Sequence, residues 1–222
     1  MKRLADGVWQ LSGFPPNAIN VYVIEDVLID ASTRYASRRI LRQVADHPIN
    51  AHALTHAHPD HQGASHAVCE RLGIPFWVGE ADADAAERPE LIGQRQPDHF
   101  MAQLFVKACT GPGHPVDRKL VEGDEVAGFQ VLHVPGHSAG HVAFWRESDG
   151  VLIAGDVYNT ADPFLAIPGL REPKPYFTPD PALNRRSARR LGELEPKLVL
   201  VGHGPPYRDT RKFVDFCSRL PA

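Results

Sequence analysis

Four side chains able to ligate a metal fall within six residues of this chain: His56, His58, Asp60 and His61, in the run Thr-His-Ala-His-Pro-Asp-His-Gln-Gly. Imidazole nitrogen suits zinc, iron and other borderline divalent ions, and a carboxylate widens the donor set. Packing so many such groups into one loop is costly unless a metal holds them. The spacing therefore favours a metal site over a polar, histidine-rich surface loop. Three further candidates follow, each in a turn after an apolar run. His137 lies in Pro-Gly-His-Ser-Ala-Gly-His after the run 129–134, Asp156 closes Val-Leu-Ile-Ala-Gly-Asp, and His203 follows Leu-Val-Leu-Val-Gly. Apolar, β-branched runs of this length read as buried strands, and the Gly and Pro beyond them as turns. Each candidate thus sits where a rigid strand gives way to a loop, which fixes the side chain and keeps it accessible.

The elements that must position these groups come in two batches. Strands are expected over 7–11, 18–24, 27–30, 49–54 and 75–78, then over 119–121, 129–134, 142–146, 151–154 and 198–201. Helices are expected over 37–45, 64–72 with Gly73 as its C′ residue, 82–87, 181–194 capped by Asp180, and 210–220. Asp149-Gly150 marks a hairpin turn. Segments 89–114 and 158–181 read as irregular, the first as a lid or insertion (helical at most over 101–108) and the second as a pocket lining. Long irregular stretches inside compact domains are usually functional or mobile. Strands and helices in both batches make the class mixed α/β.

Composition sets the limits. At 222 residues with 43% apolar content, the chain can bury a core without disulfides. A net charge of -3 gives no global positive field for nucleic acid. No apolar run approaches the roughly 20 residues of a membrane span, and the N-terminus has no apolar signal region, so a cytoplasmic protein is expected. Cys69, Cys109 and Cys217 are scattered and odd in number, as expected of reduced thiols rather than metal ligands.

These motifs, in this order, resemble the metallo-β-lactamase superfamily: 55–63 with its H-x-H-x-D-H run, Pro-Gly-His at 135–137, Gly-Asp at 155–156 and Gly-His-Gly at 202–204. The resemblance spans nearly the whole chain. It implies one domain over 1–222, a four-layer αβ/βα sandwich with the metals at one edge and two equivalent halves meeting near 119–129. Carried over position by position, His56, His58 and His137 would form a first site, Asp60, His61 and His203 a second, and Asp156 would bridge two divalent ions. Zinc is the expected metal, with iron or manganese as alternatives. Lactamases of the commonest type carry a Cys where Asp156 stands, and flavin-linked di-iron members a carboxylate in place of His58. Glyoxalase II enzymes share the ligands but add a C-terminal helical domain, for which only about twenty residues remain after His203. A small, glyoxalase II-like hydrolase is the expected subtype.

Water shared by two ions becomes a nucleophile near neutral pH. The expected reaction is hydrolysis of an ester, thioester or lactone, with Asp60 orienting the nucleophile or shuttling its proton and Tyr158 assisting the oxyanion. A phosphodiesterase, a mononuclear-iron persulfide dioxygenase using His56, His137 and Asp156, and a metal-stabilised scaffold are the competing readings. The expected partner is a small-molecule substrate, without nucleic acid or membrane, and the chain is a monomer or homodimer. Substrate-binding residues stay open, although Phe164, Leu165, Ile167, Tyr176 and Phe177 offer a pocket wall. Of the other histidines, His141 is expected to steady a turn rather than ligate. His52 and His133 should be interior, His66 on a helix, and His47, His99 and His114 in polar loops.

Overall fold

The computed structural model describes residues 1–221. The chain opens with β1 (Lys2–Ala5), β2 (Val8–Gln10), β3 (Tyr22–Ile24) and β4 (Val27–Ile29), then runs through α1 (Ser37–Gln43), β5 (Ala51–Ala53), α2 (Pro59–Gln62), α3 (Ser65–Leu72), β6 (Phe76–Gly79), α4 (Ala83–Glu87), α5 (Glu90–Arg95), α6 (Phe100–Cys109) and β7 (Arg118–Leu120). The second batch comprises β8 (Glu125–Val126), β9 (Phe129–His133), β10 (Val142–Arg146), β11 (Val151–Gly155), β12 (Asn159–Ala161), β13 (Pro168–Arg171), α7 (Pro181–Gly192), β14 (Leu198–Val201) and α8 (Thr210–Ser218). One sheet takes the strands in chain order from β1 to β7, the other in the order β14-β11-β10-β9-β8, and β12 pairs only with β13. The two large sheets meet along the chain between β7 and β8, inside the expected junction.

Apolar alternation explains the layering. Tyr22, Ile24, Val27, Ile29, Ala51 and Ala53 from the first sheet pack against Phe129, Val131, Phe144, Ile153 and Leu200 from the second. The opposite faces are covered separately. Val21, Val23 and Leu28 lie under Ile40 of α1 and Val68 of α3, and Leu132, Leu152 and Val199 lie under Leu191 of α7 and Phe213 of α8. The result is helix, sheet, sheet, helix, each large apolar side chain contributing roughly 1.5–3 kcal/mol by its burial. Gly73 ends α3 in the left-handed region at φ 65°, and Asp180 caps α7 by accepting from Leu183 N at 2.8 Å. Among the described residues no helix is long and apolar enough to cross a membrane.

Several expectations need correction. Segment 89–114 is not irregular: α5 and α6 occupy most of it. Segment 158–181 contains the β12–β13 hairpin, whose proline content hid its short strands. His133 is exposed rather than interior, because the β9 pleat turns it outward, with Nε2 3.0 Å from Ala139 O. His52 is interior, held between Leu28 O at 3.1 Å and Ser65 Oγ at 2.8 Å.

The strands that carry candidate residues end together. β4, β5 and β6 run parallel, as do β11 and β14. At that edge Val142 N donates to Thr55 O at 2.9 Å and Asn20 N to Gly202 O at 2.8 Å, joining the two sheets where the ligand candidates emerge.

Candidate metal centre

The His-rich loop leaves β5 and turns within its own motif. His58 is extended (φ -104°, ψ 158°), as a residue before proline prefers, and Pro59 opens the single turn α2. That turn brings Asp60 and His61 back beside His56. His137 arrives from the β9–β10 connection, Asp156 from the end of β11 and His203 from the end of β14. All seven are buried, with no more than 7% of their surface exposed. Ligand atoms converge within 4.8 Å of one another in three overlapping sets: His56, His58 and His137; His56, His61 and Asp156; Asp60, His61 and His203.

Each imidazole is anchored from behind. His56 Nδ1 lies 3.0 Å from Thr55 Oγ1, His61 Nδ1 2.8 Å from Asp30 Oδ2, His137 Nδ1 3.0 Å from Thr178 Oγ1, and His203 Nδ1 2.5 Å from Ala18 O. His58 uses its other nitrogen, with Nε2 2.6 Å from the Gln96 amide nitrogen. The inward atoms are the opposite. His56 Nε2, His61 Nε2, His137 Nε2 and Asp156 Oδ1 are buried without any hydrogen-bond partner among the described residues. Buried polar atoms are rarely left unpaired, and metal-binding histidines characteristically donate their far N–H to a fixed acceptor. The donor set therefore fits divalent cations.

The supporting residues were not apparent from sequence. Asp30, at φ 61° just past β4, accepts from Thr55 N, Thr55 Oγ1 and His61 Nδ1, so one carboxylate steadies both His56 (through Thr55) and His61. Asp82 accepts from Ala57 N, Ser138 Oγ and Gly140 N, tying the His-rich loop to the His137 turn. Asn20 donates to Val201 O and Gly204 O on either side of His203. An acidic residue directly after an apolar strand was the one available signal for Asp30. Asp30→Ala is expected to weaken metal binding about 10–100-fold, as loss of such support does elsewhere. Chelator competition measures this, and an unchanged affinity would remove the role.

His141 behaves as a support. Its Nε2 accepts from Asp156 N at 3.3 Å, and burial, against the pull of Asp156, lowers its pKa to about 3, so it stays neutral. Tyr158 is a correction. Its ring is fully buried under the second sheet, 5.0 Å from Phe213, in the apolar cluster with Leu191 and Val201, and it does not line the cavity. The apolar face beneath α7 and α8 claims it, so it cannot assist an oxyanion.

The family model of the metallo-beta-lactamase superfamily matches residues 14–203. The chain belongs to the metallo-β-lactamase superfamily. It is 28% identical to a probable metallo-hydrolase of Bacillus subtilis, YflN, over 87% of this chain and 83% of that one. It is 27% identical to an N-acyl homoserine lactonase of Bacillus sp, over 86% and 74% of the two chains. Among solved structures it resembles TTHA1623 in a di-iron-bound form, with a TM-score of 0.66 and 32% identity over 94% of this chain and 96% of that one. As a metallo-β-lactamase superfamily member it has the αβ/βα fold, and its His and Asp clusters lie at the sheet edge.

Proposed function

We infer that this superfamily member is a metal-dependent hydrolase that uses two divalent ions, zinc most readily, to cleave an ester, thioester or lactone in a largely apolar small molecule. The observation that carries the reading is the contrast at the centre: outer ring nitrogens anchored, while the inner nitrogens of His56, His61 and His137 and one oxygen of Asp156 are buried and unpaired among the described residues. His56, His58 and His137 would hold one ion, and Asp60, His61 and His203 the other. Asp156 would touch both, since its Oδ2 is 3.6 Å from His137 Nε2 and 3.0 Å from His203 Nε2. When bound, two such ions lower the pKa of a shared water from about 15.7 to about 7 and polarise a carbonyl. Asp60 lines the cavity, with Oδ2 3.1 Å from His203 Nε2, and would take a proton at that oxygen.

The cavity, about 250 Å³, supports an apolar substrate. Ile19, Phe105, Val106, Phe164 and Phe177 form its walls, while Leu165 and Ile167 are exposed beyond it. Among the described lining residues Lys174 is the one lysine or arginine, and it is engaged: its Nζ lies 2.7 Å from Asp162 Oδ2. That bond, with the Leu165 and Phe164 amides, holds the Asp162 carboxyl down at about 2. A substrate anion would find no free cationic side chain in these walls. The lactonase relative and the probable metallo-hydrolase support the same class.

Elemental analysis of protein purified without added metal, with a panel of neutral esters, thioesters and lactones, tests the reading. His58→Ala is expected to lose metal and at least about a thousandfold in kcat/KM, equivalent to about 4 kcal/mol of transition-state stabilisation. Normal metal content and turnover in that variant would overturn the ligand assignment. A single iron with oxygen uptake on glutathione persulfide, or activity confined to phosphodiesters, would overturn the reaction class.

A further inference from the structure

A second group of metal-ligating side chains meets on the far side of α3, sharing no residue with the centre. His66 and Glu70 stand four residues apart on that helix and so share one face. His114 joins them from the segment after α6, 48 positions away in sequence from His66. His66 Nδ1 and His114 Nδ1 share a hydrogen bond at 3.2 Å, so one proton now sits where a cation would, Glu70 Oε1 is 3.9 Å from His114 Nδ1, and one ligand atom from each lies within 4.8 Å of the others. Around a tetrahedral zinc with bonds of about 2.0–2.1 Å, neighbouring donors stand about 3.3 Å apart, which the two nitrogens match.

The group is held ready. His114 N donates to Ala86 O at 3.2 Å, and its ring lies 5.9 Å from that of buried Phe76. The nearby carboxylate of Asp117 is occupied, accepting from Phe76 N at 2.8 Å. Glu70 has no lysine or arginine partner among the described ion pairs.

We propose that His66, Glu70 and His114 form a separate site for a divalent transition metal, zinc foremost, with its remaining coordination open to solvent. The site joins the helix that follows the His-rich loop to the segment that follows α6, and α6 supplies Phe105 and Val106 to the cavity wall. That segment already lies against the loop: a Cβ on Gly111 would stand 1.8 Å from Gly63 O. Occupancy therefore braces the pocket wall without touching substrate.

The test counts zinc on the full chain after stripping and re-equilibration. His66→Ala and His114→Ala are each expected to bind one equivalent fewer than wild type. His133→Ala, which removes an exposed histidine elsewhere, should bind the full number. In Asp156→Ala, zinc should still raise Tm, and adding His114→Ala should abolish that rise. If His66→Ala and His114→Ala, folded by circular dichroism, bind as much zinc as wild type, the site does not exist. The wild-type to His114→Ala difference is read whether or not the central site behaves as proposed, so the two failures are distinguishable.

Discussion

Asp156→Ala is expected to leave the protein without either central ion and with hydrolysis below detection. The reason is position. Asp156 Oδ2 stands 3.0 Å from His203 Nε2 and 3.6 Å from His137 Nε2, and Oδ1 is 3.5 Å from His61 Nε2. It thus reaches one member of the first triad and two of the second. Asp60 reaches only the second, with Oδ2 3.1 Å from His203 Nε2 and 3.9 Å from His61 Nε2. Without Asp156, the five imidazoles of the centre are left with one carboxylate, and paired cations at short separation would lose the anion between them. The carboxylate is also confined: a Cβ on Gly202 would stand 1.9 Å from Asp156 Oδ1 and 2.6 Å from His61 Cε1. Metal content after dialysis, with circular dichroism against metal-stripped wild type, measures the effect. Asp156→Asn, which keeps the shape and loses the charge, should retain more metal than the alanine variant. Loss of only one ion from Asp156→Ala would assign the residue to a single site.

What sequence conveyed follows from locality. His56, His58, Asp60 and His61 occupy one loop, and His137, Asp156 and His203 each end an apolar run, so both residue type and setting were visible. The mixed α/β class was visible as two batches of strands with helices, and the sandwich was implied by the resemblance to the superfamily. Asp30, Asp82 and Thr178 were not, because their task is to accept hydrogen bonds from groups 25 to 58 positions away in the chain. A lone acid or threonine carries no periodic signature. Tyr158 was misread because nearness to Asp156 in sequence suggested nearness to its carboxylate. The two side chains leave the backbone in different directions, and the apolar layer under α7 took the tyrosine. The helices of 89–114 were obscured by Gly93 inside α5 and by Pro89, Pro97, Gly111, Pro112 and Gly113 at or beyond the helix ends, where proline and glycine bound a helix rather than preclude it.

The two halves of the centre should fill with metal at different pH. Burial lowers the pKa of His56 and His137 well below 6.5, reinforced by neighbouring imidazoles, and burial lowers His58 despite Asp60. Burial also pulls on His203, but Asp156 and Asp60 outweigh it and hold the imidazole up at about 10. His61 is likewise raised, against burial, by Asp156, Asp30 and Asp60. In the metal-free protein at neutral pH the first triad is therefore neutral, while His61 and His203 each carry a proton that a cation must displace. The apparent affinity of the second site should rise about 100-fold per pH unit, tenfold for each proton, whereas that of the first should be nearly flat above about pH 6.5. Zinc titration against a competing chelator at several pH values separates the two, and parallel slopes would overturn the assignment. The signs also fix the stability of the metal-free protein. His61 and His203, being raised, contribute stability that is complete below about pH 6.5 and lost as pH climbs through their folded values. His56 and His137, being lowered, contribute stability present above about pH 6.5 and lost as pH falls below it. Tm without metal should accordingly peak near pH 6.5, and zinc should erase the alkaline decline, because cations then neutralise the carboxylates that the two protons neutralised before.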